Sequence, residues 1–235
     1  MQLSAPSPPP QWCLSLVLHC LSRPPFESLA NTSEYLLSLK MLFLVAITSA
    51  RRASELAAFR IDPPFLQFHP DKVTLFPDVS FLSSTFYLSQ PIILSTFFPS
   101  PTTDLERSVH LLDVRRALSF YISRTSFFRK SKRLFISPHP PHRGSHVSSQ
   151  TISRWLVSTI KLAYQIPKQP FDRIKAHSTR ATATSAAFLR GVSPLDICKA
   201  ATWSTPSTFA AQYRLDLRAK ADTSFGQAVI SSIMS

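Results

Sequence analysis

From residue 32 the sequence reads TSEYLLSLKMLFLVAI, and past Leu36 it leaves a helix almost no polar side. A surface helix keeps one face for water, whereas a helix that is apolar all round has to be covered on every side. The stretch therefore predicts a largely buried helix, with Thr32 as its candidate N-cap, around which the other elements must pack. It does not predict a membrane span: Lys40 interrupts the run, and Arg51 and Arg52 close it short of the roughly 18 apolar residues a span needs. With 235 residues and 44% apolar content the chain has material for such a core, in one large domain or two small ones.

The 26 Lys and Arg residues outnumber 13 Asp and Glu and give a formal charge of +13. They are spread along the chain, so the charge belongs to the folded surface and suits a broad groove better than a sticky tail. Such a surface attracts polyanions, nucleic acid first, with membrane surfaces and acidic proteins as the other classes. Only three glycines occur, Gly144, Gly191 and Gly226. That excludes a glycine-rich phosphate loop, so any phosphate must be held by side chains. Cys13, Cys20 and Cys198 have no metal-ligand spacing, and their odd number argues against a disulfide framework, which fits a reducing compartment. The opening MQLSAPSPPPQW lacks the basic start and apolar middle of a secretory signal. A soluble intracellular protein is expected.

Residues 1–11 are proline-rich and read as a disordered tail or the stub of a linker, with one folded domain over 12–235. LSLVLHCL has helical periodicity and stops before Arg23-Pro24-Pro25. ARRASELAAF continues after the apolar helix as a second short one. FLQFH, KVTLF and FYLSQPIIL, bounded by Pro, Asp or Ser, read as strands of an antiparallel meander, with Pro91 marking an edge strand. SVHLLDVRRALSFYISRT reads as one helix, RLFIS as a short strand, PHPPHRGSH as a loop and SQTISRWLVSTIKLAY as a helix. In KAHSTRATATSAAFLRGVSPLDICKAATW, Gly191 ends one helix and Ser193-Pro194 starts the next. Thr205 and Pro206 open a further short helix, and RAKADTSFGQAVISSIM is a weaker last one. The sum is an α+β fold, mainly helical, with a small antiparallel sheet early in the domain.

Spacing of three residues puts His177 and Arg180 side by side on one helical face. The pair suits an oxyanion, because Arg offers a planar fork to two phosphate oxygens and His can donate or pass a proton near neutral pH. Arg52 and Glu55 repeat the spacing on another helix. Each feature alone has a plain explanation: a solvated helix face, an exposed ion pair, a core aromatic at Tyr213. His139, His142 and His146 read as a solvated loop, where Arg143 is a candidate DNA-backbone contact, as is Lys175 beside the HxxR pair.

The order is more specific than its parts: TSARRASEL, a small sheet, KAHSTRA, the ATW turn, then STFAAQY. This series resembles the catalytic domain of tyrosine recombinases, most closely the version carried by retroelements of the DIRS and Ngaro type, over nearly everything from Trp12 to Leu217. The resemblance implies that Arg52 and Arg180 are the catalytic arginines, His177 the histidine of the HxxR box, Trp203 the residue where the family has His or Trp, and Tyr213 the nucleophile, with Glu55 in support. It implies DNA strand cleavage and rejoining in recombination or integration through a 3′-phosphotyrosyl intermediate, with double-stranded DNA as partner, a homo-oligomer up to a synaptic tetramer, and a nuclear or intracellular site. No cofactor and no metal are expected, since guanidinium groups would neutralise the phosphate. A phenol of pKa about 10 lies roughly three units above neutral pH, a deficit of about 4 kcal/mol that nearby cations and a base offset.

The pattern departs from the family in two places. Where the family has a hairpin lysine as general acid, residues 81–84 read FLSS, and Lys72 is the nearest substitute. Residues 1–10 cannot fold into the family's N-terminal clamp, so that core-binding domain is expected to be absent. The alternative reading these departures support is a catalytically impaired, retroelement-derived DNA-binding remnant.

Overall fold

The apolar run forms a helix covered on nearly every side. The structure, a computed structural model, describes residues 12–78, 90–164 and 174–203. In it α2 (Glu34–Ser49) is buried continuously from Leu37 to Ala46. It packs against α5 (Val114–Thr125), α6 (Ser149–Ala163) and α7 (His177–Leu189). α1 (Leu14–Leu21) closes over α6, and α3 (Ala53–Ala58) follows α2 and also packs on α6. The α6 residues that face this core are Ile152, Trp155, Leu156, Thr159 and Ile160, the repeat of three and four that an amphipathic helix requires. Among the described residues no helix is long and apolar enough to cross a membrane.

Among the described residues three short strands, β1 (Leu66–Phe68), β2 (Lys72–Leu75) and β3 (Ile92–Ser95), form an antiparallel sheet in the order β1-β2-β3. Leu66 lies opposite Leu75, and Lys72 opposite Ser95. Within the described residues β3 lies at an edge of the sheet, and it alternates buried Ile92 and Leu94 with exposed Ile93 and Ser95. Pro91 stands just before it, where its missing N–H costs the ladder nothing. The result is the expected fold class: mainly helical, with one small antiparallel sheet.

Local details depart from the sequence reading for identifiable reasons. The N-cap of α2 is Ser33, whose hydroxyl accepts from Leu36 N at 3.2 Å, because the Thr32 hydroxyl is already donated to Pro25 O at 2.8 Å. The single helix expected over SVHLLDVRRALSFYISRT is two, α4 (Asp104–His110) and α5. Asp113 makes the break: fully buried, it accepts from Arg116 N at 2.6 Å as the α5 cap and from Phe97 N at 2.5 Å in the chain leading from the sheet. RLFIS runs through the core but among the described residues pairs only through isolated bridges, Arg60 with Arg133, Ile136 with His146 and Ser137 with Arg143. The prolines of PHPPHRGSH leave too few N–H groups to extend a ladder.

The lysine inside the apolar run is where sequence and packing meet most directly. Lys40 is fully buried; its ammonium donates to Leu21 O at 2.8 Å and to the Glu27 carboxylate, which Arg116 of α5 grips at 3.0 and 3.2 Å. One carboxylate therefore joins the loop after α1 to α2 and α5. Burial works to raise the Glu27 carboxyl, but the hydrogen bonds and charges of Arg116 and Lys40 outweigh it and hold it below the usual carboxylate range. Burial pushes the Lys40 ammonium below its ordinary value against the opposing pull of Glu27. A carboxyl lowered in the folded state stabilises above its unfolded value, about 4.3, and that contribution is lost as pH falls through the lower folded-state value. Glu27→Gln is expected to strand Lys40 without its counter-charge, at a cost on the order of 3–5 kcal/mol, and to flatten the fall in stability below about pH 4. Urea melts of both proteins between pH 3 and 7 measure the two effects, and coincident melts would refute the triad's role.

Candidate active site

A left-handed residue sets up the first half of the site. α2 ends at Ala50, whose φ of 51° turns the chain sharply and leads directly into the arginine pair. Arg51 goes inward, at 6% exposure, while Arg52 becomes the N-cap of α3 with a side chain 55% exposed. Glu55, one turn into α3, faces both: its carboxylate lies 3.7 Å from Arg51 Nη1 and 3.6 Å from Arg52 Nη1, and it accepts from Arg52 N at 3.4 Å. Thr202 Oγ1 donates to the same carboxylate at 3.4 Å, linking α3 to the turn after α8 (Pro194–Ala200). Burial pushes the Arg51 guanidinium below its ordinary value, and Glu55 only partly offsets this.

The second half comes from α7 and α8. His177 and Arg180 occupy the first turn of α7. Trp12 Nε1 donates to Ser178 Oγ at 2.9 Å and Ser178 Oγ donates to Lys175 O at 2.7 Å, so that turn is braced from the far end of the chain. Gly191 ends the helix at φ 87°, Ser193 caps α8 by accepting from Asp196 N, and Trp203 N donates to Cys198 O at 2.9 Å. This returns the indole to Arg180, whose guanidinium carbon lies 4.9 Å from the ring centre. Trp203, Ile197, Cys198, Ala201 and Ala50 form a small apolar cluster of their own, which fastens α8 to the end of α2.

Arg51, Arg52, Lys175, His177, Arg180 and Trp203 line one cavity of about 790 Å³. Its walls are the first turns of α3 and α7 together with Ser149, Gln150 and Ser153 from the start of α6. Four cationic side chains and no carboxylate are found among its described lining residues. Helix N-termini carry partial positive charge and unpaired N–H groups, so the backbone adds to the field of the side chains. The arrangement is suited to an anion with several oxygens, as a phosphodiester has.

Arg52, Lys175, His177, Arg180 and Trp203 are thus brought together, with Glu55 behind them. Lys72, on β2, is not among the lining residues. Nor is Arg143, which pairs with Glu34 at 2.7 Å and stacks over the Phe128 ring at 4.2 Å, tying its loop to the start of α2. Tyr213 and residues 81–84 lie outside the described residues. Sequence reasoning missed Arg51, the brace from Trp12 and the α6 start. The SQT after Ser148, a capping pattern, was the available signal for the last of these.

The fold is similar to that of solved recombinases. These include a XerH site-specific recombinase bound to palindromic difH substrate in a post-cleavage complex (10% identity, TM-score 0.60, covering 92% of this chain and 52% of that one). XerA recombinase (14% identity, TM-score 0.51, 84% and 56%) and a lambda integrase dimer bound to a COC' core site (13% identity, TM-score 0.50, 91% and 49%) are also similar. The chain spans about half the length of these proteins. No family model and no curated protein matches the sequence. At such identities the likeness establishes the fold, which is that of the tyrosine-recombinase catalytic domain.

The two members of the arginine pair should respond differently to substitution. Arg52→Ala removes an exposed partner and is expected to change stability by less than about 1 kcal/mol. Glu55→Gln leaves the buried Arg51 uncompensated and is expected to cost on the order of 3 kcal/mol. Equal urea midpoints for the two variants would contradict this division.

Proposed function

We propose that the chain is a tyrosine-recombinase catalytic domain, folded from residue 12 onward, that breaks and rejoins double-stranded DNA through a covalent 3′-phosphotyrosyl bond to Tyr213. The observation that carries this reading is the cavity: four cations and a histidine at the starts of three helices, with no carboxylate among the described lining residues. The likeness in fold to recombinases bound to their DNA substrates supports it.

In this reading the phenol oxygen of Tyr213 bonds to phosphorus as the bond to the 5′ oxygen breaks. The charge that builds on the pentavalent phosphate is neutralised by Arg52 and Arg180, so the step needs no metal ion. His177 serves in proton transfer at the phosphate. The departing 5′ oxygen takes a proton from an ammonium group, and Lys175, which lines the cavity, suits that task better than Lys72, which does not. Trp203 holds Arg180 by its ring face, and its indole N–H is a donor of the kind a phosphate oxygen accepts. The phosphotyrosyl bond conserves the energy of the broken one, so a second strand's 5′ hydroxyl can reverse the step without ATP. Motif order supports the finer assignment to recombinases of DIRS and Ngaro retroelements, acting in the nucleus as homo-oligomers on DNA.

A nicked duplex that sheds a short fragment on cleavage traps the covalent intermediate. The wild-type protein is expected to give a denaturant-resistant DNA adduct, Tyr213→Phe none, and Arg180→Ala at least about a hundredfold less. Salt-sensitive DNA binding with no adduct from the wild-type protein would overturn the cleavage reading and leave a DNA-binding domain.

A further inference from the structure

Arg51 lines a second cavity as well as the first. This one, of about 600 Å³, lies at the end of α2, with Thr48, Ser49, Gln90 two residues before β3, and Lys199 on α8. Two observations mark it as an anion site. Among the described residues, Arg51 is a nine-tenths-buried cation whose Nε has no hydrogen-bond acceptor and whose one carboxylate, Glu55, is 3.7 Å away and divided with Arg52. A guanidinium in a wall of low dielectric projects more of its charge into an adjoining cavity than one in water does. Lys199, half exposed, meets the cavity from the other side and among the described residues is paired only with Asp196, at 3.4 Å. Exposed pairs of this kind contribute little and exchange readily. Asp196 also loses little in the exchange, because it accepts the Ser193 hydroxyl at 2.7 Å, the first of the causes that hold its carboxyl below the usual range. Thr48 and Ser49 contribute no donors, since their hydroxyls are given to Leu44 O and Val45 O.

We propose that the second cavity is a subsite for the backbone phosphate next to the reacting one on the same DNA strand, with Lys199 and Arg51 as its cations and the Gln90 amide as a neutral donor. The inference rests on the DNA-cleavage reading above and extends it, making Arg51 the wall between two phosphate sites. It also gives a reason for a buried arginine beside a catalytic one: the pair spaces two phosphates.

The experiment is a binding scan with duplexes in which one phosphate at a time is replaced by a neutral methylphosphonate, read for wild type and Lys199→Ala over a range of salt. The wild-type protein should lose affinity at the reacting phosphate and at its neighbour. Lys199→Ala should lose sensitivity at the neighbour alone, with the slope of log K against log salt reduced by about 1. A Lys199→Ala profile and slope equal to wild type would overturn the subsite. Because Arg51→Ala could unfold the chain, Arg51→Lys is the companion variant: it keeps the charge, loses the fork, and is expected to weaken sensitivity at both positions. Covalent trapping by the wild-type protein, run in parallel, tests the cleavage reading separately, since an adduct can form whether or not the neighbouring phosphate is gripped.

Discussion

The burial of α2 on all sides is the constraint from which the rest of the architecture follows. A helix without a polar face has to be wrapped, and α5, α6 and α7 do this from different parts of the chain. Wrapping brings the start of α7 beside the end of α2, and the left-handed turn at Ala50 then sends Arg51 inward and leaves Arg52 at the surface. The positions of the two halves of the site are thus consequences of core packing. The same burial explains Lys40, whose ammonium sits where water cannot reach and is matched by a carboxylate from the preceding loop. A buried charge of this kind is weak as a source of net stability and strong as a device for fixing which elements meet.

Electrostatics at the cavity carry the same pattern further. In the core, Lys40 and Arg116 share Glu27, two cations to one carboxylate. At the cavity, Arg51 and Arg52 share Glu55 while Lys175 and Arg180 bring further charge, so the balance is left positive. Stacking on Trp203 sets the Arg180 guanidinium against the flat face of the indole. A positive cavity ringed by helix starts is costly to hold empty and favourable to fill with phosphate, which is what a strand-cleaving site would require. The small apolar cluster around Trp203 and Ala50 lets the α7–α8 half pack on the core through few residues.

What was legible in the sequence was whatever depends on neighbours along the chain. The periodicity of LSLVLHCL and SQTISRWLVSTIKLAY, the Gly191 to Pro194 turn and the proline before β3 all have local causes, and the structure agrees with each. The fold class was readable for the same reason. The convergence of Arg52, His177, Arg180 and Trp203 could be anticipated only through motif order, since no local signal carries a distance between residues 52 and 180. Features made by long-range partners were hidden. Asp113 breaks a helix because Phe97 needs its carboxylate, Thr32 fails to cap because Pro25 takes its hydroxyl, and Arg143 is engaged by Glu34 and an aromatic ring. Arg51 was the costliest of these to miss. Adjacent arginines look equivalent in a sequence, and only the turn at Ala50 separates a buried one from an exposed one.

The central claim is that a particular tyrosine attacks a DNA phosphate held in this cavity, and the site of the covalent bond tests it most directly. Protease digestion of the trapped protein–DNA adduct, followed by mass spectrometry of the nucleotide-bearing peptide, locates that bond among the five tyrosines of the chain. The expected result is a single modified peptide with the nucleotide on Tyr213. A nucleotide on another tyrosine, or on any other residue, would contradict it.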